Sequence, residues 1–335
     1  MARNVVFIDP GTSFLRVFSS RKGLVFQEPN VVVVDGNGHI LRYGNSAVQK
    51  TPGEGLPEEK AYSVRNGAVA DQKLFRALLL QVFRKERLGV GPLRKHLVFC
   101  TSPFLNSVEK RALFQVAQNI GFRKVCLFPT PLALLEGFGK ECLGEKVQAV
   151  LDVGGGKVDF SLLGFGNLVD GTFLKGGISQ LQRSVQREIR LNWGIDVNDR
   201  FVSSSFFPTI SGEALDSTEI ELKGRDKVTG LPKSQRVSAV QLFPLFERFF
   251  RTIAQKVQEV LERLSPDISA EVLQRGILLV GGGGNMGGFQ RFLSETLRIP
   301  VELPASPETA IEKGLVWLSA LPEKQRLQWS ECYSL

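Results

Sequence analysis

The chain has 335 residues, 43% of them hydrophobic and 23% charged, with a formal net charge of +8. That length supports more than one domain, and the composition fits a soluble globular protein, with no apolar run near the ~20 residues of a membrane-spanning helix. The basic balance favours acidic partners such as anionic lipid, nucleic acid or phosphorylated ligands, or it serves solubility alone.

In chain order, "MARNVVFID" enters a strand at once, so no signal peptide is expected. "NVVFIDPGTSFLRVFSS" reads as strand, tight turn, strand, and "LVFQEPNVVVVD" as a third strand broken at Pro29. "DGNG", Asp35 to Gly38, marks a hairpin, and "TPGEGLPEEK", Thr51 to Lys60, a loop. Lys73 to Lys85 carries Leu74, Leu78, Val82 and Phe83 on one helical face. "HLVFCTSP" is a buried strand. Asn106, with Glu109 three residues on, caps a helix that carries Val108, Ala112, Leu113, Val116 and Ile120 at helical spacing and stops at Gly121. "KVCLFPTPLALL" reads as a strand, a proline-bracketed turn and a helix start. "AVLDVGGGKVDFSLL" repeats the opening plan: an Asp before a glycine turn, then a β-rich segment. Helices are expected at Ser179–Trp193, ended by Gly194, and at Leu242–Leu264. "ILLVGGGGNMGGFQRFL" gives a last strand, four glycines and a helix. Alternating strands and helices predict a duplicated α/β fold, its halves packed around a cleft. Cys100, Cys126, Cys142 and Cys332 are scattered and read as structural thiols in a reducing compartment; His39 and His96 are too few for a histidine-based metal site.

Consecutive glycines after a strand bare backbone N–H groups at a bend, and such nests hold phosphate oxygens. Asp9 and Asp152 occupy matching positions and suit Mg²⁺ held through water. The turn Gly281–Gly284 opens a helix and suits the base and sugar of a nucleotide; purely structural tight turns are the alternative reading. "GGGKV" is not a Walker loop, because Val158 follows Lys157 and Leu151 stands where that motif needs its first glycine.

With these residues in view, the chain resembles the MreB/Mbl family of bacterial actin homologues, in the actin superfamily. "FIDPGTSFLRVF" resembles the first phosphate hairpin, and "VRNGAVAD", "VEKRAL", "DVGGGK" and "RGILLVGGGGNMGGF" follow in the family's order. "GRDKVTGLPKSQRVS", Gly224 to Ser238, resembles an insertion particular to this family. The resemblance implies an α/β, two-lobed actin-like fold (a duplicated ribonuclease-H-like unit) with a nucleotide cleft between the lobes. It places lobe I at 1–143, with a small subdomain at about 33–65, and lobe II at 144–335, with a small subdomain at about 186–240. A C-terminal helix at about 307–320 is expected to pack back on lobe I. It also implies ATP or ADP with Mg²⁺, bound by Gly11, Thr12, Ser13, Phe14, Gly154, Gly155, Gly156, Lys157, Gly282, Gly283, Gly284 and Asn285, with Asp9 and Asp152 at the metal.

The chain departs from the family where ATP is cleaved. Thr130, between Pro129 and Pro131, takes the place of the glutamate that positions the attacking water, and Lys157 that of a threonine at the γ-phosphate. "DRFVSSSFFPTISG" lacks the Glu and Lys that grip adenosine, and Pro208 would interrupt its helix. The expected site is therefore degenerate, with ATP weakly bound, held without turnover or lost. "RKERLGVGPLRK" puts Leu88, Val90 and Leu93 at a loop tip among five basic residues, an apolar-plus-basic membrane anchor. The implied role is a filament at the inner face of the membrane, assembling alone or with a paralogue, serving cell shape and the wall-synthesis machinery, with no nucleic acid partner. An active filament with a compensated site and a non-polymerising membrane adaptor are the alternatives.

Overall fold

The structure is a computed structural model that describes residues 5–49, 58–88, 96–198, 202 and 218–334. The chain forms two compact units, the first made of Met1–Lys146, Leu163–Leu168 and Thr309–Leu335, the second of Val147–Leu162 and Val169–Glu308.

The first unit is built on a sheet of six strands in the order Glu331–Ser334, Lys124–Pro129, His96–Thr101, Val6–Pro10, Phe14–Ser19, Gly23–Pro29. Val6–Pro10, His96–Thr101 and Lys124–Pro129 run parallel, with Val6 opposite Leu97 and Lys124 opposite His96. Parallel strands are covered on both faces, which is why their sequences are continuously apolar. Val6 and Ile8 enter a core with Phe75, Leu79, Val82 and Phe83 of the helix Gln72–Lys85 and Leu113, Val116 and Ala117 of the helix Ser107–Ile120. Phe7, between them, points the other way, under the guanidinium of Arg326 at 5.4 Å. The capping box of Asn106 and Glu109 is present, and Gly121 ends that helix in the left-handed conformation at φ 107°. A smaller sheet, Ile40–Tyr43, Val32–Val34 and Glu59–Ala61, contains the expected hairpin, whose turn Asp35 holds by accepting from the N–H groups of Asn37 and His39.

The second unit repeats the plan. Its sheet runs Asn167–Lys175, Lys157–Gly164, Gln148–Val153, Ile277–Val280, Val301–Glu302. Counted within each sheet, and leaving out Glu331–Ser334 as a sixth strand of the first, both share the order third, second, first, fourth, fifth, and the fourth strand pairs parallel to the first in both. The repeat seen in the glycine turns is thus a repeat of topology. Its core takes Leu181, Val185 and Ile189 from the helix Ile178–Trp193, and Phe250 of the helix Phe243–Leu261 stacked on Phe289 at 4.5 Å.

Three expectations are corrected. No turn lies between Pro129 and Pro131: the strand runs to Pro129 and a helix, Thr130–Gly137, starts directly, since proline fits the first helical positions where an N–H has no partner anyway. Cys126 and Cys332 are not separate thiols; they face each other across the antiparallel strands Lys124–Pro129 and Glu331–Ser334 and form a disulfide. Leu88 is not at a loop tip: it is 0% exposed, in the first unit's core, with its N–H donating to the carbonyl of Phe83 at 2.8 Å after Arg87 turns the chain at φ 50°. Val90 and Leu93 lie outside the described residues, as do the adenosine-grip segment (Val202 excepted) and Pro208.

Candidate nucleotide-phosphate site

In the first unit the turn after Val6–Pro10 has only room for glycine at its centre: a Cβ on Gly11 would meet the carbonyl oxygen of Phe14 at 2.5 Å. Asn30, 2% exposed, braces the turn from behind. Its Nδ2 donates to the carbonyl of Gly11 at 2.8 Å, its N–H to that of Ser13 at 2.9 Å, and its Oδ1 accepts from Ser63 Oγ at 3.3 Å. Thr12 Oγ1 accepts the N–H of Gly67 at 2.9 Å, so the threonine hydroxyl fastens the turn to the hairpin Val64–Val69. The carbonyls of Gly11 and Ser13 are thus engaged, while among the described residues the N–H groups of Gly11, Thr12 and Ser13 donate to no backbone carbonyl. Phe14 is 41% exposed, with the Arg16 guanidinium 5.5 Å from its ring.

Asp9 is not an isolated carboxylate. It lies opposite Arg16 in the hairpin register and accepts from Arg16 Nη1 at 3.0 Å, with the arginine buried. Arg16 was not expected at the site; the signal was there, since an arginine among "FLRVF" at a paired strand position needs a buried anion. The Asp9 charge also reaches Cys100, whose thiol is pushed up chiefly by burial and secondarily by Asp9.

In the second unit the turn Gly154–Gly156 is stitched to the start of the helix Ile178–Trp193. The N–H of Ile178 donates to Gly154 at 3.0 Å, that of Ser179 to Gly155 at 2.8 Å, and that of Gly176 to Gly156 at 2.8 Å. A Cβ on Gly177 would run into the backbone of Gly154 and Lys157, so the Gly176–Gly177 pair is as much part of the turn as the three glycines before it. The third turn joins them: Gly281, at φ 83°, would bring a Cβ to 2.5 Å from Asp152 Oδ1, and a Cβ on Gly283 would collide with Val153. Gly282 to Asn285 form a single 3-10 turn, and the helix itself begins later, at Phe289. Asn285 Nδ2 donates to Glu308 Oε2 at 2.9 Å. Asp152, Gly154–Gly156, Lys157 and Gly281–Gly284 are therefore one cluster at a helix N-terminus, where the helix dipole favours an anion while the first helical amides, those of Ile178 and Ser179, are spent on the turn's carbonyls. Lys157 does not extend a free charge from it, because Nζ binds the carboxylate of Asp159, two residues along the strand and 3% exposed.

These residues fit a phosphate. The carbonyls of Gly11, Ser13 and Gly154–Gly156 are taken by protein donors, and a Cβ on Gly11, Gly177, Gly281 or Gly283 would clash. They fit Mg²⁺ only as an ion held through water and phosphate oxygens, since among the described residues no three acidic, His or Cys side chains group as metal ligands. Thr130, buried at the first position of its helix, offers a hydroxyl and no base.

A family model described as MreB/Mbl protein matches residues 3–326. The cell shape-determining protein Mbl of Bacillus cereus is 28% identical over 317 residues, covering 92% of this chain and 93% of the relative. The cell shape-determining protein MreB of Escherichia coli is 25% identical over 327 residues, covering 94% and 92%. Among solved structures, MreB5 of Spiroplasma citri bound to AMPPNP superposes with a TM-score of 0.85 at 20% identity over 98% of both chains. A MamK double helical filament superposes with a TM-score of 0.76 at 20% identity, over 96% of this chain and 100% of that one. The fold is accordingly actin-like.

Proposed function

Because the chain belongs to the MreB/Mbl family of cell shape-determining, actin-like cytoskeletal proteins, we propose that it is a filament-forming member whose nucleotide site holds ATP or ADP without effective turnover. The observation that carries this reading is a mismatch between backbone and side chains. The backbone cradles around Gly11 and Gly154–Gly156 are intact, while Thr130 and Lys157 supply neither a general base nor a water-orienting hydroxyl. Gly11–Ser13 and Gly155–Gly156 would hold the phosphates, and Asp9 and Asp152 would meet Mg²⁺ through water; bound Mg²⁺ would supply charge neutralisation to the phosphate tail. The Spiroplasma MreB5 structures, bound to AMPPNP and to ADP, support nucleotide binding, and the MamK double helical filament supports self-association. The family supports a place at the inner face of the membrane, beside the wall-synthesis machinery. No helix among the described residues is long and apolar enough to cross a membrane.

Calorimetry with ATP and Mg²⁺, pelleting and phosphate release on one preparation test the reading. Binding and pelleting with phosphate release at the buffer rate are expected. Restoring Thr130→Glu together with Lys157→Thr should raise release, toward the ~10²–10⁴-fold a positioned base contributes. Turnover by the unmodified chain would overturn the degenerate-site reading.

A further inference from the structure

The segment Gly224–Ser238 lies in the β-hairpin Glu219–Asp226 and Pro232–Ser238, and hydrogen bonds set the shape of its tip. Asp226 Oδ1 accepts from the N–H groups of Val228 at 2.9 Å and Thr229 at 3.0 Å. The N–H of Gly230 donates to the Asp226 carbonyl at 2.9 Å, and the N–H of Asp226 to the Leu231 carbonyl at 2.8 Å. The tip is also fastened to the end of the helix Ile178–Trp193: Lys233 Nζ donates to Asp226 Oδ2 at 3.1 Å and to the Trp193 carbonyl at 3.0 Å, and the Lys227 N–H donates to Gly194 at 2.9 Å. Held in this way, Val228 is 82% exposed and Leu231 64% exposed. A fastened turn cannot fold these two side chains under itself, so their apolar surface is presented to whatever lies outside.

Charge is sorted along the same hairpin. At its base, Glu219 and Glu221 pair with Arg236 and Lys223. Toward the tip stand Arg225, Lys227 and Lys233, and the one acid there, Asp226, is turned onto the amides of its own turn and onto Lys233. Among the described residues neither Arg225 nor Lys227 has a carboxylate partner; Arg225 Nη1 donates only to the Gly230 carbonyl. Cations alone would serve nucleic acid or an acidic protein. Two bare aliphatic side chains at the centre of cations match a surface where hydrocarbon lies directly beneath anionic groups.

We propose that this hairpin tip is a membrane contact: Val228 and Leu231 enter the acyl region of an anionic bilayer while Arg225 and Lys227 hold lipid phosphates. The inference rests on the membrane-peripheral reading above, for which it names a surface, and is independent of nucleotide turnover. The test floats the full chain with phosphatidylglycerol vesicles and, in parallel, phosphatidylcholine vesicles. Flotation with the anionic vesicles only is expected, weakened by salt. Val228→Ser with Leu231→Ser should lower the bound fraction about tenfold, less than the full burial of two aliphatic side chains would contribute. Arg225→Ser with Lys227→Ser should weaken binding and flatten its salt dependence. The Val228→Trp variant should be quenched by lipids brominated in the acyl chain beyond the level of the unmodified chain, a readout that needs no loss of binding. Anionic flotation with an unquenched Val228→Trp variant, or with the serine pair still bound, overturns the hairpin contact and leaves the peripheral reading standing. No flotation at all overturns both. Loss of lipid-free pelleting by the serine pair, at an unchanged melting profile, would make the tip a contact between copies and overturn the proposal.

Discussion

Lys157 is a structural cation. It neutralises the buried Asp159, so replacing it alone with Thr removes a counter-charge without supplying a catalytic pair. Lys157→Thr should lower stability by an amount on the order of 3 kcal/mol, read as a shift in the denaturant midpoint. Adding Asp159→Asn should recover much of it, and the resulting double-mutant cycle isolates the pair. Equal losses in the single and double variants would show that the ion pair is not what Lys157 contributes. The Cys126–Cys332 bridge is the other residue-scale feature with a measurable consequence. It ties the last strand to the sheet across a sequence separation of 206, and removing such a tie typically costs about 2–4 kcal/mol. Adding a dithiol reductant should lower the melting temperature of the unmodified chain and leave that of Cys332→Ser unmoved. An equal response in both would place the sensitivity elsewhere.

At the scale of elements, two helices of the first unit cross on glycine. A Cβ on Gly314, in the helix Ala310–Ala320, would meet the Ala133 carbonyl at 2.7 Å, and one on Gly137 would meet the Gly314 nitrogen at 2.6 Å. Alanine is worth up to ~1 kcal/mol over glycine inside a helix, yet backbone overlap of this kind costs about 1–3 kcal/mol. Gly314→Ala should therefore destabilise despite its better propensity. Gly144→Ala, where a Cβ meets nothing within 4 Å, should be close to neutral. If both variants melt alike, the crossing is looser than its contacts imply. The neighbouring Phe128–Trp317 pair, at 6.2 Å between ring centroids, gives a tryptophan signal at the same crossing.

Across the whole molecule, acid should weaken the fold. Asp35, held by the N–H of His39, Asp170, held by Arg263, and Asp226, held by the amides of Thr229 and Val228, all sit below the ordinary value of 3.8. A depressed folded-state pKa contributes stability that is complete above the unfolded value and is lost as pH falls through the folded one. Stability should be flat from neutral pH to about 5 and decline below about 4. Arg263→Gln should shrink the Asp170 part of that decline. An acid profile unchanged by Arg263→Gln would assign the decline to other carboxylates.

The sequence by itself determined the local grammar: the strand-turn-strand repeat, the capping box of Asn106 and Glu109, and the stops at Gly121 and Gly194. These depend on near neighbours and on hydrophobic period, so they are legible in a linear reading. What only the tertiary structure decided involves partners far apart in the chain. Arg16 reaches Asp9 only because a hairpin register sets them opposite, Asn30 braces Gly11 across 19 positions, and Gly176–Gly177 and Gly281 close on the triple-glycine turn from distant strands. Leu88 read as an exposed loop tip because basic residues surround it in sequence; one left-handed residue, Arg87, turns it into the core instead. Cys126 meets Cys332 because the chain's last strand adds to the sheet's edge, and strand order is set by packing over the whole sheet.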